Sequence, residues 1–163
     1  MTADLIHIEW TDKTGAPLGL SEGTPEDSAT LMEMYDTFTL KGMYQGLPPI
    51  EPDARAQWVA KLLRTAENFL AWDGGQVIGH AALILDKERN DAEFLIFILS
   101  SHRNRGLGKK LTQMAVEKAR KLELKAVWLT VEAFNFRAVS VYRKCGFVFL
   151  DTGEPERHMR IDL

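Results

Sequence analysis

One cysteine, Cys145, and four histidines are all that 163 residues offer in soft metal ligands. A lone thiol excludes an internal disulfide framework, and the histidines have no zinc-ligand spacing, so no metal site is expected. Long hydrophobic runs are missing as well. The longest purely apolar stretch, Phe94 to Leu99, falls far short of the roughly 20 residues that cross a bilayer. Asp4 and Glu9 break up the opening stretch from Met1 to Trp10, so no secretory signal or anchor is expected, and a cytosolic (cytoplasmic) setting fits the unpaired thiol. Nor is there an excess of positive charge: 20 Lys plus Arg stand against 23 Asp plus Glu, a formal charge of -3. Such a chain has no global field for gripping nucleic acid or an anionic membrane, and any basic site in it must be local. What remains is 45% hydrophobic and 26% charged, the balance of a globular chain whose length fits one domain over residues 1–163.

Periodicity orders the elements. Leu5, Ile6, Ile8 and Trp10 read as a short strand, and Thr11 to Gly15 as a turn towards a second strand over Leu18 to Glu22. Thr24-Pro25-Glu26-Asp27 predicts a capped helix over Pro25 to Leu40, with Leu31, Met34, Tyr35 and Phe38 on one face. The stretch from Lys41 to Pro52, rich in proline and glycine around Tyr44, cannot be a regular element. Asp53 is the expected cap of a second helix, Ala54 to Ala66. Two strands follow, Phe69 to Trp72 and Val77 to Leu85, joined by a tight turn at Asp73-Gly74-Gly75. Glu93 to Leu99 is apolar on both faces, as a central strand covered on both sides must be. A helix to about Leu122, a strand Ala126 to Val131, a helix from Asn135 to Lys144, and closing strands Phe147 to Leu150 and Met159 to Leu163 complete a mixed α/β (α+β) order.

Two spacings carry chemistry. Arg103-Asn104-Arg105-Gly106-Leu107-Gly108-Lys109-Lys110 leaves a buried strand and opens a helix, so unpaired backbone N–H groups gather at a positive helix end. Glycine at Gly106 and Gly108 lets a phosphate approach the backbone, and the flanking Arg and Lys add local charge. The segment is not a P-loop, which needs Gly at Arg103 and Ser or Thr at Lys110. Nor is it the dinucleotide fingerprint, which needs a small residue at Leu111. From these residues alone it is either an anion cradle or a tight strand-to-helix turn. Downstream, N-x-x-A-x-x-x-Y-x-x-x-G-F runs from Asn135 to Phe147 and puts Tyr142 on the apolar face of its helix, where it either packs or works.

Together, Arg103-x-x-Gly106-x-Gly108 after an apolar strand and Asn135 to Phe147 after the next strand resemble the GNAT superfamily of acetyl-CoA-dependent N-acetyltransferases. The resemblance is strongest over Glu93 to Phe149 and extends to Leu18; residues 1–17 look like an added N-terminal hairpin. It implies a mixed, splayed central sheet of about six to seven strands flanked by about four helices. The strand Phe94 to Leu99 then binds the pantetheine arm as an added strand would. By that resemblance Ile98, Leu99 and Ser100 contact the arm. Arg103, Asn104, Arg105, Gly106, Leu107, Gly108 and Lys109 hold the pyrophosphate, with Lys110 at the margin, and Asn135 and Tyr142 contact coenzyme A. The first two helices and their loop line the acceptor side in this family, which makes Tyr35, Phe38, Tyr44, Gln45 and Pro48 wall residues.

Amide formation needs a neutral amine, donors for the developing oxyanion and a proton for the departing thiolate. The candidates are a backbone N–H at Ile98 or Leu99 for the carbonyl, and Tyr142 as general acid, since a phenol's pKa of about 10 lies near that of a thiol. Glu93, roughly where several relatives keep a catalytic glutamate, is the candidate base, with Glu132, His80 or a water chain as alternatives. Cys145 as an acyl carrier is disfavoured, because a helix C-terminus opposes a thiolate. The expected activity is direct acetyl transfer from acetyl-CoA to a primary amine, small molecule or protein lysine, in a ternary complex without metal. A non-catalytic acyl-CoA-binding sensor is the alternative, against which Tyr142 speaks. Binding of nucleic acid along Arg103 to Lys121 lacks an aromatic platform. Neither nucleic acid nor membrane is an expected partner, and a homodimer stays open.

Overall fold

A computed structural model describes residues 8–163. The first expected strand appears as β1 (Ile8–Thr11), while Leu5 and Ile6 lie outside the described residues. It pairs antiparallel with β2 (Pro17–Glu22). Asp12 builds the intervening turn: its Oδ1 accepts from Thr14 N, Thr14 Oγ1 and Ala16 N at 2.8, 2.6 and 3.1 Å.

A 3₁₀ turn at Pro25–Asp27, closed by Thr24 N donating to Asp27 Oδ2 at 2.9 Å, leads into α1 (Ser28–Thr37). The helix stops at Thr37 rather than Leu40 because Phe38 turns to an extended backbone and drops its ring into the core. Helix α2 spans Pro52–Thr65, and its cap is Glu51, not Asp53: Glu51 Oε2 accepts from Ala54 N at 2.7 Å, with Pro52 in the first helical position. There follow β3 (Glu67–Asp73), β4 (Gln76–Asp86), β5 (Asp91–Ile98), α3 (Leu107–Lys121), β6 (Ala126–Glu132), α4 (Phe136–Lys144), β7 (Val148–Phe149) and β8 (Glu156–Asp162).

The strands form one eight-stranded sheet in the order β1-β2-β3-β4-β5-β6-β8-β7, larger than expected because β1 and the two-residue β7 join its edges. Alternation sorts its side chains. Phe69, Ala71, Ile78, Ala81, Leu83, Phe94 and Leu129 face α3 and α4. Leu70, Val77 and Phe97 face α1 and α2. Phe94 and Phe97 thus point to opposite layers, which is why β5 reads as apolar throughout.

Among the described residues only β5 and β6 run parallel, and they pair only at Asp91–Ala126, Ala92–Val127 and Glu93–Trp128. Beyond that point β5 stays with β4 as far as Ile98, and β6 stays with β8 as far as Glu132. The sheet therefore splays from one end into a wedge.

Candidate active site

The wedge exposes a defined set of backbone groups. Leu99 N donates to Ile78 O at 3.0 Å, so the odd-numbered residues of β5 turn their N–H and C=O towards β4. The even-numbered ones turn towards β6. Once pairing with β6 ends, the Ile96 N–H and C=O and the Ile98 N–H have no strand to meet. The Ile98 carbonyl accepts from Arg103 Nε at 3.1 Å. An open edge of this kind takes an extended ligand through main-chain hydrogen bonds.

The edge runs directly into the glycine turn. Gly106 precedes α3 at φ +87, and the first i to i−4 bond of the helix is Lys110 N to Gly106 O at 3.2 Å. The amides of Leu107, Gly108 and Lys109 come before that ladder and carry the positive end of the helix dipole. From the other side, α4 brings Asn135, whose Oδ1 caps its own helix by accepting from Ala138 N at 3.3 Å, and Arg137, whose NH1 donates to Asn104 Oδ1 at 3.0 Å.

Edge, turn and helix enclose a cleft of about 960 Å³. Of the residues singled out in the sequence, Ile98, Arg103, Asn104, Gly106, Leu107, Gly108, Lys109, Asn135, Tyr142, Phe38, Tyr44 and Gln45 line it. Its charge runs against that of the chain: Lys13, Arg103, Lys109, Arg137 and Lys144 line it, against one described carboxylate, Glu132. Tyr142 is buried with its ring edge-on to Phe94 at 6.2 Å, and its hydroxyl has no hydrogen-bond partner among the described residues. Burial pushes the phenol well above its ordinary pKa, with Tyr44 and Cys145 adding to the rise, so it stays a proton donor.

One wall is aromatic. Phe38 and Tyr44 meet Phe97 at ring distances of 5.7 and 6.0 Å, and the Arg103 guanidinium lies 5.9 Å from the Phe38 ring. The loop carrying Tyr44 and Gln45 is fixed by a residue that periodicity did not single out, the buried Arg55. Its NH1 donates to Pro49 O and Ile50 O at 3.2 and 2.9 Å, while Nε and NH2 hold Asp36 Oδ1 at 3.1 and 2.8 Å.

Other expected site residues lie elsewhere. Leu99 has its amide committed to β4, and Ser100 opens an exposed 3₁₀ turn; neither lines the cleft. Arg105 is turned away to Asp12, NH1 to Oδ2 at 3.5 Å, and Lys110 is likewise absent from the lining. Tyr35 is fully buried behind Phe38, where packing with Trp58 and Phe97 leaves it no path to the cleft. Its hydroxyl bonds His80 Nδ1, and His80 Nε2 bonds Asn68 Oδ1 at 2.8 Å. Because Asn68 Nδ2 donates to the Leu62 and Ala66 carbonyls, its Oδ1 must accept, which puts the His80 proton on Nε2 and makes Tyr35 the donor to Nδ1. With both ring nitrogens used, and burial lowering its pKa to about 3, His80 is a neutral core residue and not a base for the cleft. Glu93 sits where β5 and β6 are still paired and lines a separate pocket with Trp128 and Lys87, its carboxyl raised by desolvation against the opposing pull of His158. Cys145 is half-buried outside the lining, and burial raises its thiol pKa. Glu132, named from the sequence as an alternative base, does line the cleft, and Lys13, Phe136 and Arg137 line it without having been assigned to it; Lys13 comes from the hairpin turn, which sequence spacing could not bring next to Gly106.

Residues 30–147 match the Acetyltransferase (GNAT) family. The chain belongs to this family. It is 29% identical over 89 residues to the uncharacterized N-acetyltransferase YvbK of Bacillus subtilis (strain 168), a match covering 55% of this chain and 57% of that protein. The match thus spans little more than half the length of that relative. The GNAT domain of S. lividans PAT superposes with a TM-score of 0.82 at 16% identity, over 96% of this chain and 97% of that one. A spermidine N-acetyltransferase from Vibrio cholerae, solved with CoA and spermine, gives a TM-score of 0.70 at 24% identity over 89% of this chain and 95% of that one. At these identities the two structures establish the shared fold, including the splayed sheet.

Proposed function

We propose that the protein is an N-acetyltransferase that moves an acetyl group from acetyl-CoA to a primary amine by direct attack within a ternary complex. The observation that carries this reading is the continuity of an unpaired strand edge with a cationic, amide-rich helix start, in a chain whose net charge is negative. An extended amide-bearing arm ending in a diphosphate fits both halves: strand-like bonds for the arm, backbone N–H groups and lysines for the anion. The Vibrio cholerae neighbour was solved with CoA, which agrees with it. Acetyl-CoA, when bound, supplies the activated acetyl group.

The residues then divide the work. The Ile96 and Ile98 amides hold the arm, and the free one nearest the thioester carbonyl stabilises negative charge developing on its oxygen. Tyr142, with an unbonded hydroxyl that burial keeps protonated, gives its proton to the departing thiolate, whose own basicity rises in the same desolvated cleft. Glu132, the one described carboxylate lining the cleft, takes the amine's proton in this reading. Phe38, Tyr44 and Phe97 exclude water on the acceptor side, leaving the amine with less solvation than in bulk. A half-buried Cys145 with a raised pKa is a poor nucleophile, which favours direct transfer over an acyl-cysteine.

Thiol release from acetyl-CoA, measured over a panel of amines and lysine peptides, tests this. Amine-dependent release with matching acetylated product is the expected result. Tight coenzyme binding without release for any amine would favour the non-catalytic sensor, and no binding of acetyl-CoA or coenzyme A would remove both readings.

A further inference from the structure

We propose that Lys13, at the tip of the β1–β2 hairpin, is a binding residue for the coenzyme diphosphate, and that Asp12 positions it. This rests on the reading of the cleft as a coenzyme A site.

Lys13 lines the cleft although it is remote in sequence from every other cation there. Its stem crosses the first turn of α3: a methyl added at Gly106 would meet Lys13 Cε, Cγ and Cδ at 3.3, 3.4 and 3.6 Å. The glycine therefore leaves a channel for the aliphatic stem of Lys13, which enters the same cleft that Leu107, Gly108 and Lys109 line. No described carboxylate pairs with the Lys13 ammonium.

The tip is fastened to the turn it serves. Lys13 N donates to Arg105 O at 3.0 Å. The Asp12 side chain, with 0% exposure, spends Oδ1 on the Thr14 and Ala16 bonds and turns Oδ2 to Arg105 NH1. The consequence is an exchange of cations. Arg105, which the motif places on the phosphate, is withdrawn to Asp12, and Lys13 of the hairpin stands in its place. On this account the hairpin completes the anion site.

The test is the dissociation constant of coenzyme A and of dephospho-coenzyme A, which keeps the diphosphate but lacks the 3′-phosphate, for wild type, Lys13→Ala and Lys13→Arg. Lys13 is exposed, so neither change threatens folding. Lys13→Ala should weaken both ligands equally, by about 2- to 5-fold, the scale of one exposed ion pair. It should also flatten the dependence on salt, while Lys13→Arg retains most of the affinity. Weakening of coenzyme A alone would move the contact to the 3′-phosphate and overturn the assignment, as would no weakening of either. If wild type binds neither ligand, the coenzyme reading of the cleft itself fails, a result visible before any variant is made. Asp12→Asn gives a test of sign. Loss of a negative charge should by itself tighten an anion, so weaker binding by a folded Asp12→Asn variant supports positioning, and tighter binding overturns it.

Discussion

Gly108 separates the two readings of the turn, because its replacement by alanine should push stability and coenzyme affinity in opposite directions. Gly108 is the second residue of α3 and is not among the glycines with positive φ. An added methyl would first meet Ile98 Cδ1 at 3.6 Å, an ordinary van der Waals contact. The fold therefore has no need of glycine there. Alanine should stabilise by about 0.4–1 kcal/mol by restricting the unfolded chain, which raises the melting temperature by about 1–4 °C in a domain of this size. The same methyl stands among the amides proposed to meet the diphosphate. Loss of one charge-assisted N–H bond costs about 1.5–3 kcal/mol, or roughly 10- to 150-fold in Kd. Gly106→Ala is the control, since φ +87 strains any side chain and the methyl would press on Lys13, so that stability and affinity both fall. Differential scanning fluorimetry and calorimetric titration with coenzyme A read the two effects separately. A stabilised Gly108→Ala protein with unchanged affinity would reduce the turn to a strand-to-helix joint and refute the cradle.

Three further outcomes follow from the geometry. Tyr142→Phe should lower kcat by about 100-fold or more, the scale of a general acid, while the Kd for acetyl-CoA stays near wild type; unchanged kcat in single-turnover assays would remove the acid. The pKa of His80 is lowered from an ordinary value near 6.5 to about 3 by burial, so between these limits the unfolded chain binds a proton that the folded one refuses. Stability should then fall as pH drops below about 6.5, by about 2 kcal/mol at pH 5, in urea titrations of wild type but not of His80→Gln; parallel curves would contradict the neutral relay. Arg55→Ala should cost about 2–3 kcal/mol, because three carbonyl or carboxylate partners lose a buried donor. It should also raise KM for the amine by freeing the loop of Tyr44 and Gln45, and limited proteolysis between Lys41 and Glu51 should accelerate.

The sequence revealed what depends on neighbours along the chain and hid what depends on neighbours in space. Strand and helix periods located β3 to β6 and all four helices within a few residues, and the glycine turn and Asn135 cap appear where the motifs put them. Leu99 does not line the cleft because alternation along β5 is phased by its bond to Ile78, which no local pattern reports, and Ser100 lies beyond the strand in an exposed turn. Tyr35 and Phe38 share one helical face and looked equivalent, yet Tyr35 is the inner of the two and is consumed by His80. Arg105 and Lys13 are the same case in reverse. The residue inside the motif is drawn off by an aspartate far from it in sequence, and a lysine beside that aspartate lines the cleft instead. Arg55 had no signal beyond being a charge on an amphipathic helix; its role lies in the carbonyls of a loop that it closes.

The splay itself has a mechanical cause. Each wall of the wedge is tied to a strand on its far side, β5 to β4 through Ile98 and β6 to β8 through Glu132, so neither can swing inward without breaking an established ladder. Between them Tyr142 and Phe94 stand edge to face on one layer, and Phe97 is locked among Phe38, Tyr44 and Trp58 on the other. Packing on both faces thus keeps the Ile96 and Ile98 amides apart from β6, when an unconstrained sheet would close to satisfy them. An open edge of this kind is ordinarily a hazard for pairing with other chains. Here it lies inside a cleft with α4 on one side and cationic side chains at its mouth, which favours a slender anionic ligand over a second strand. The bonds that the fold leaves unmade are then available to that ligand without reorganisation, so its affinity depends on the rigidity of β4 and β8 as much as on any residue it touches.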